Sequence, residues 1–416
     1  MRGQAASVSV VDGPRSRPAR LHGALLAGLA WAGIPLLAGP MLTGCDQALP
    51  TTLPAPRSHE VSAFKKTTSK PALSARVGAQ QPAILPSGAP LRTRIDDQLA
   101  FIQQQRTLSL EKNAAWQIMH GVLAFGRDFQ VLHGDQPVRA LDWVLDGRPM
   151  NGWTLHKGDA GLRAELEPGK QGQGHEDQWL AVVSLSGIPV THPLRVNGHT
   201  YKIYDVLTQA MHDTYEGKEC SWTLIGLAQY LKPIDQSWVA ADGSRWSVER
   251  ILTMEGGPVQ DDDYGRQLVN EGACGGTHRL IGMAMALDHY RQQYPDRQLT
   301  GGWQAAAMRI DWAVEAARKN QSPDGAFSIR YFERPARSRS VGENLGASGH
   351  TLEFLATALD RQQLSQPWIR RAAGYLCQLL EETQTLNLEC GALYHAAHGL
   401  VLYRQHCFGT RKASGR

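Results

Sequence analysis

One kind of segment recurs along this chain and constrains its fold more than any other. It is a helix-length run of small and apolar residues with no polar face. Such runs occupy Asn113–Phe125, His175–Leu185, Cys220–Leu231, Cys274–Leu287, Gly346–Leu359 and Cys390–Tyr403. A helix that is apolar all round must be covered on every side. Between these runs lie segments of the opposite kind. In Trp303–Lys319, the residues Trp303, Ala306, Ala307, Ile310, Ala313, Val314 and Ala317 keep one-sided helical spacing. In Gln366–Thr383, Trp368, Ile369, Ala372, Ala373, Leu376 and Leu379 do the same. Asp96–Arg106, Thr200–His212 and Ser247–Met254 are shorter amphipathic segments. A one-sided helix buries one stripe and belongs outside. Pairing each outer helix with the next inner one gives about six hairpins in sequence.

That alternation predicts an all-α domain over residues 96–416, closed as an (α/α)6 toroid with every inner helix starting at one rim. An open solenoid or an irregular bundle would show short uniform loops, whereas here the loops ahead of inner helices are long and Gly-rich. Gln130–Gly174 is the stretch least readable as helix. It holds a candidate short helix at Val138–Leu145 and enough Gly for a β-hairpin. Asp261-Asp262-Asp263 reads as a solvated loop.

The N-terminus is set apart. Residues 1–44 combine a basic leader (Arg15, Arg17, Arg20) with an apolar run that ends in Leu42-Thr43-Gly44-Cys45. That ending resembles a bacterial lipobox, which implies acylation of Cys45, a lipid bilayer as partner, and a cell-envelope protein facing the periplasm or exterior. Residues 45–95 then read as a disordered tether rich in Pro, Ser and Thr. The net charge is +4 with no basic stripe interleaved with aromatics, which argues against a nucleic-acid partner.

Gln321-Ser-Pro-Asp-Gly325-Ala-Phe327 follows an amphipathic helix. It resembles the Gln…Gly-x-Trp repeat of the terpenoid cyclase and protein prenyltransferase toroids, with Phe in place of Trp. Looser copies are Gln236…Asp242-Gly243…Trp246 and Gln384…Gly391. The resemblance implies a toroid in which this motif caps an outer helix and clamps it to the next loop. It implies no reaction, because neither the Asp-x-Asp-Asp acid of the squalene-type cyclases nor an Asp-Asp-x-x-Asp diphosphate motif is present.

If the ring closes, residues at the inner-helix starts share one opening. His278, His350, His395, Tyr394 and Arg279 are the candidate catalytic residues, since neutral His accepts a proton near pH 7 and Tyr or His can return one. Cys274, His278, Cys390 and His395 are candidate metal ligands, because Cys and His are what zinc prefers. Trp179, Trp222, His120 and His398 are candidates for a substrate cleft open to a small-molecule or glycan ligand. Three readings follow from these residues: a ligand-binding or catalytic toroid, a polysaccharide lyase-like toroid acting on envelope glycans, and a non-catalytic scaffold in which each His packs its own loop.

Overall fold

The computed structural model describes residues 90–166 and 174–409. The lipobox, Cys45 and most of the tether therefore lie outside the described residues. The described part is mostly α-helical, with fourteen α-helices and four two-stranded antiparallel hairpins. No described helix is long and apolar enough to cross a membrane.

Six helices carry the apolar runs: α2 (Ala115–Phe125), α4 (Gln178–Leu185), α6 (Ser221–Tyr230), α9 (Thr277–Gln293), α11 (Val341–Ala358) and α14 (Cys390–Phe408). Burial follows the all-round pattern. Every residue from Asn344 to Ala356 of α11 is buried, as is every residue from Ala392 to Leu400 of α14. These helices pack on one another in order: α2 on α4, α4 on α6, α6 on α9, α9 on α11, α11 on α14, and α14 back on α2.

The amphipathic helices lie against that set. They include α1 (Leu91–Gln105), α3 (Ala140–Leu145), α5 (Ile203–His212), α7 (Val248–Gly256), α10 (Gly301–Asn320) and α13 (Pro367–Glu382). In α13 the buried stripe is Trp368, Ile369, Ala372, Ala373, Leu376, Cys377 and Leu380. Each fully buried Leu or Ile there contributes roughly 1.5–3 kcal/mol of transfer free energy. Helix α1 begins at Leu91, ahead of the expected domain start, because Leu91 and Ile95 continue its buried stripe.

Gln130–Gly174 holds the β-hairpin its sequence allowed and a second one besides, whereas the hairpins after α4 and α6 went unread. After α2, α4 and α6 the chain makes a hairpin that feeds straight into an outer helix. These are β1 (Gln130–His133) with β2 (Gln136–Arg139) into α3, β5 (Pro193–Val196) with β6 (His199–Lys202) into α5, and β7 (Ser237–Val239) with β8 (Arg245–Ser247) into α7. A fourth hairpin, β3 (Trp153–Lys157) with β4 (Leu162–Leu166), precedes α4. The expected helix Thr200–His212 therefore starts as a strand. Asn197 and Gly198 form its turn, both at positive φ (50° and 78°), as a two-residue type I′ hairpin requires.

The Gln236…Trp246 copy of the motif is also corrected. Asp242-Gly243 is the turn of β7–β8, and Trp246 pairs across the strands with Trp238. Gln384 reaches Gln98 at 3.5 Å and clamps no loop backbone. The Gln321 copy does clamp. Its Nε2 donates to the carbonyls of Gly325 and Trp368, both at 3.0 Å, and Phe327 meets the Trp368 ring edge-on at 6.1 Å.

The acidic run is likewise not a loop. Asp261 caps α8 (Asp262–Glu271) by accepting from Tyr264 N–H at 3.0 Å, and Asp262 pairs with the buried Arg309 and with Arg266. Two carboxylates in a first turn also suit the positive end of the helix dipole.

Candidate functional site: a buried histidine centre

A left-handed turn sets up the centre. Cys274, Gly275 and Gly276 have φ of 52°, 63° and 77° and lead directly into α9, whose second residue is His278. A Cβ on Gly275 would fall 2.2 Å from the Tyr331 ring, so that position is closed to any side chain. Cys274 holds the same conformation without being glycine, a local strain of the kind that collects at functional sites.

The crossing of α11 and α14 supplies most of the rest. A Cβ on Gly349 would sit 2.6 Å from Ala396 N, so the two helices approach backbone to backbone. This close approach places Glu353 of α11 between two histidines of α14. Its Oε2 accepts from His395 Nδ1 and its Oε1 from His398 Nδ1, both at 2.6 Å.

The imidazoles cluster around this point. The rings of His350 and His395 stack at 3.8 Å between centroids. His278 lies 5.2 Å from His350, 5.1 Å from His395 and 5.8 Å from His175. His120 of α2 lies edge-on to His395 at 5.0 Å, and Trp222 of α6 lies 4.6 Å from His278. Five of the six inner helices, and His175 in the loop ahead of the sixth, α4, thus each bring a ring to one place. His278, His350, His395 and Glu353 are between 1% and 4% exposed, so the centre is closed to bulk water.

Hydrogen bonds fix the tautomers. A carbonyl oxygen only accepts, so a ring nitrogen bonded to one must carry the proton. His120 Nδ1–H donates to Trp116 O at 2.6 Å, and His350 Nδ1–H donates to Gly346 O at 2.7 Å. His395 and His398 donate likewise to Glu353, and His175 Nδ1 faces Glu219 Oε2 at 2.9 Å. Nδ1 is thereby committed to the scaffold, and Nε2 is the nitrogen left to act. His278 is different: neither of its ring nitrogens has a hydrogen-bond partner. His350 Nε2, Trp222 Nε1 and Thr351 Oγ1 are also buried without one.

Burial disfavours the charged form of four of these rings. Burial pushes His278 well below its ordinary range, reinforced by His395, His350 and His175. Burial also lowers His120 and His350, and it brings His395 down to about 3 with His350 adding to the effect. Burial alone would raise Glu353, but the adjacent His395 and His398 hold it well below the usual carboxylate range. Four imidazoles whose charged form is disfavoured by burial, His120, His278, His350 and His395, thus lie around one buried carboxylate.

The expected residues divide clearly. His278, His350, His395, His398, His120 and Trp222 come together. Tyr394 does not: its ring packs on Phe125 and Phe129, and its hydroxyl donates to Arg106 O at 3.4 Å, on another face of α14 from His395. Nor does Arg279 join the centre. Its Nη1 donates to Leu268 O at 2.6 Å, and its Nε sits 2.9 Å from Glu255 Oε2, off the N–H axis. Adjacent residues on a helix point about 100° apart, so Tyr394 and Arg279 could not follow the histidines beside them.

Cys390 is a half-buried thiol beside Gln117 Nε2 at 3.6 Å. Trp179 is buried in the core and has no ring contact with the cluster among the described residues. The Cys274 Sγ lies within 4.8 Å of donor atoms of His278 and His350. An open concavity of about 370 Å³ lies elsewhere, lined by Arg318, Gln321, Trp368 and Arg371, and none of the expected site residues lines it. Glu353, His175 and Tyr331, whose ring is edge-on to His350 at 6.5 Å, were the residues of the centre not singled out as candidates. For Glu353 a signal existed, since a carboxylate within an otherwise apolar run demands a buried partner.

A helical scaffold that converges imidazoles on one buried carboxylate defines a class of site rather than a named activity. No family model, curated protein or solved structure matches the chain.

Proposed function

We propose that this protein is an (α/α)6 toroid, anchored in the bacterial cell envelope through acylated Cys45, whose function is ligand binding or catalysis at the histidine centre. The toroid reading is supported by the order in which α2, α4, α6, α9, α11 and α14 pack, each on the next and the last on the first. The anchor rests on the lipobox-like Leu42-Thr43-Gly44-Cys45 alone. The expected small-molecule or glycan ligand narrows to one small enough to enter an enclosed centre, and the imidazoles are its acid–base or coordinating groups.

One observation carries the functional reading. His278 is buried against three other histidines, His175, His350 and His395, with both ring nitrogens unpartnered. A buried polar atom without a partner costs about 1–3 kcal/mol. Folding gains nothing from such an arrangement, whereas a site that awaits a ligand does. The scaffold reading makes the opposite claim, that these rings are there to pack.

His278→Leu separates the two, because Leu fills a similar volume and has no polar atom. For a ligand site the variant melts at or above the wild-type temperature in ligand-free protein. A fall of 5 °C or more, about 3 kcal/mol for a domain of this size, would return the centre to packing.

A further inference from the structure

Resting on the reading of this centre as the functional one, we propose that it holds a divalent transition-metal ion bound by imidazole nitrogens alone, with His278, His350 and His395 as ligands and Glu353 behind them. Four observations converge on it. First, the unpartnered nitrogens are on the right residues: both on His278 and Nε2 on His350. Second, donor atoms of His278 and His350 lie within 4.8 Å of each other, in a group whose third member is Cys274; His395 joins them through its ring contacts. Third, two imidazoles on one tetrahedral ion with metal–nitrogen bonds of about 2.0–2.1 Å have ring centroids about 5 Å apart. His278 lies 5.2 Å from His350 and 5.1 Å from His395. The His350–His395 pair, stacked at 3.8 Å, is closer than this and would have to part for both rings to bind one ion.

Fourth, the outer partners are those a metal site uses. A ligating histidine commonly donates its other ring N–H to a carboxylate or a carbonyl, which orients the ring and raises its basicity. His395 does so to Glu353 and His350 to Gly346 O. The buried Glu353 carboxylate also supplies negative charge beside the cation. All-imidazole donation suits zinc, copper, nickel and iron rather than magnesium or calcium. The set shares His278 and His395 with the Cys- and His-based one expected from the sequence; Cys390 lies apart, and the Cys274 sulfur, within 4.8 Å of donor atoms of His278 and His350, is the competing donor that the cobalt spectrum tests.

The test uses the full chain, with Zn²⁺ as the probe for stoichiometry and Co²⁺ for donor type. Titration calorimetry and elemental analysis after desalting should give one zinc per chain. His278→Leu and His350→Leu should each abolish it. Glu353→Gln should weaken zinc binding by about 10- to 100-fold, the usual effect of losing such a partner. The cobalt spectrum needs no variant. It should show tetrahedral d–d bands without a thiolate-to-metal charge-transfer band, and such a band would overturn the all-imidazole donor set. Absence of stoichiometric metal, or binding that survives both leucine variants, would overturn the site itself. If no metal binds while His278→Leu still melts no lower than wild type, the metal proposal falls and the ligand-site reading stands. If His278→Leu is strongly destabilised, the ligand-site reading falls as well.

Discussion

The α11–α14 crossing is the point where packing and site are the same thing, and a single methyl group tests it. In Gly349→Ala the new Cβ would lie 2.6 Å from Ala396 N and 2.7 Å from Ala396 Cα. Both are backbone atoms, so no side-chain rotation relieves the contact, and the helices must part by about 1 Å to reach ordinary van der Waals distance. Overpacking of this kind costs about 1–3 kcal/mol. Parting the helices also stretches the two 2.6 Å bonds from His395 and His398 to Glu353. Hydrogen bonds to charged groups contribute about 1.5–3 kcal/mol each. Against this stands a gain of about 1 kcal/mol from replacing a helical glycine. The net expectation is a loss of about 2–4 kcal/mol. For a domain of about 300 residues the unfolding entropy is near 0.6 kcal/mol per kelvin, so the melting temperature falls by about 3–6 °C. Gly374→Ala is the control. It makes the same chemical change within α13, where a Cβ meets nothing within 4 Å, so it should raise the melting temperature by about 2 °C. Calorimetry on both variants decides the matter. If Gly349→Ala and Gly374→Ala shift the midpoint in the same direction, the close crossing is not what orders Glu353, and the account of how the site is assembled fails.

Two further outcomes follow from individual contacts. Asp213 accepts from Arg163 at 2.8 and 2.9 Å and from Gln209 at 2.9 Å; burial would raise its carboxyl, yet these partners hold it below the ordinary value. A depressed folded pKa contributes stability above the unfolded value near 3.9, lost as pH falls through the folded one. The urea midpoint of wild type should therefore exceed that of Asp213→Asn at pH 6, and the gap should shrink by pH 3; a constant gap would remove Asp213 from the acid response. Gln321→Ala deletes both donations to Gly325 and Trp368 carbonyls, and should cost about 1–2 kcal/mol by denaturant titration. An unchanged midpoint would mean that the clamp between α10 and α13 contributes nothing.

The distribution of greasy and one-sided helices was legible because period and burial are linked directly: α10 and α13 bury the stripes their spacing specifies, and α11 and α14 bury every face over their middle turns. The hairpins were harder to see. Their strands are three or four residues long in β1, β2 and β5–β8, too short for alternation to register against a helical background. The readable signals were the turns, Asn197-Gly198 and Asp242-Gly243, each with apolar or aromatic residues on both sides. Asp261–Asp263 misled because a charge run is usually solvated, whereas here Asp262 answers an arginine on α10 that is remote in sequence.

The candidate site was legible in its residue types and not in their directions. His278, His350 and His395 were found because histidine in an apolar run stands out. Tyr394 and Arg279 were placed with them because adjacency in sequence passes for adjacency in space, and on a helix it does not. The glycines that make the inner runs so featureless are what decide the matter. Gly349 admits the backbone of α14, that approach brings Glu353 against His395 and His398, and the carboxylate then orients the histidines it touches. Small residues chosen for close packing thus also determine which nitrogen of each ring is left to act. His278, which no such partner holds, is the ring on which a ligand would have the largest effect.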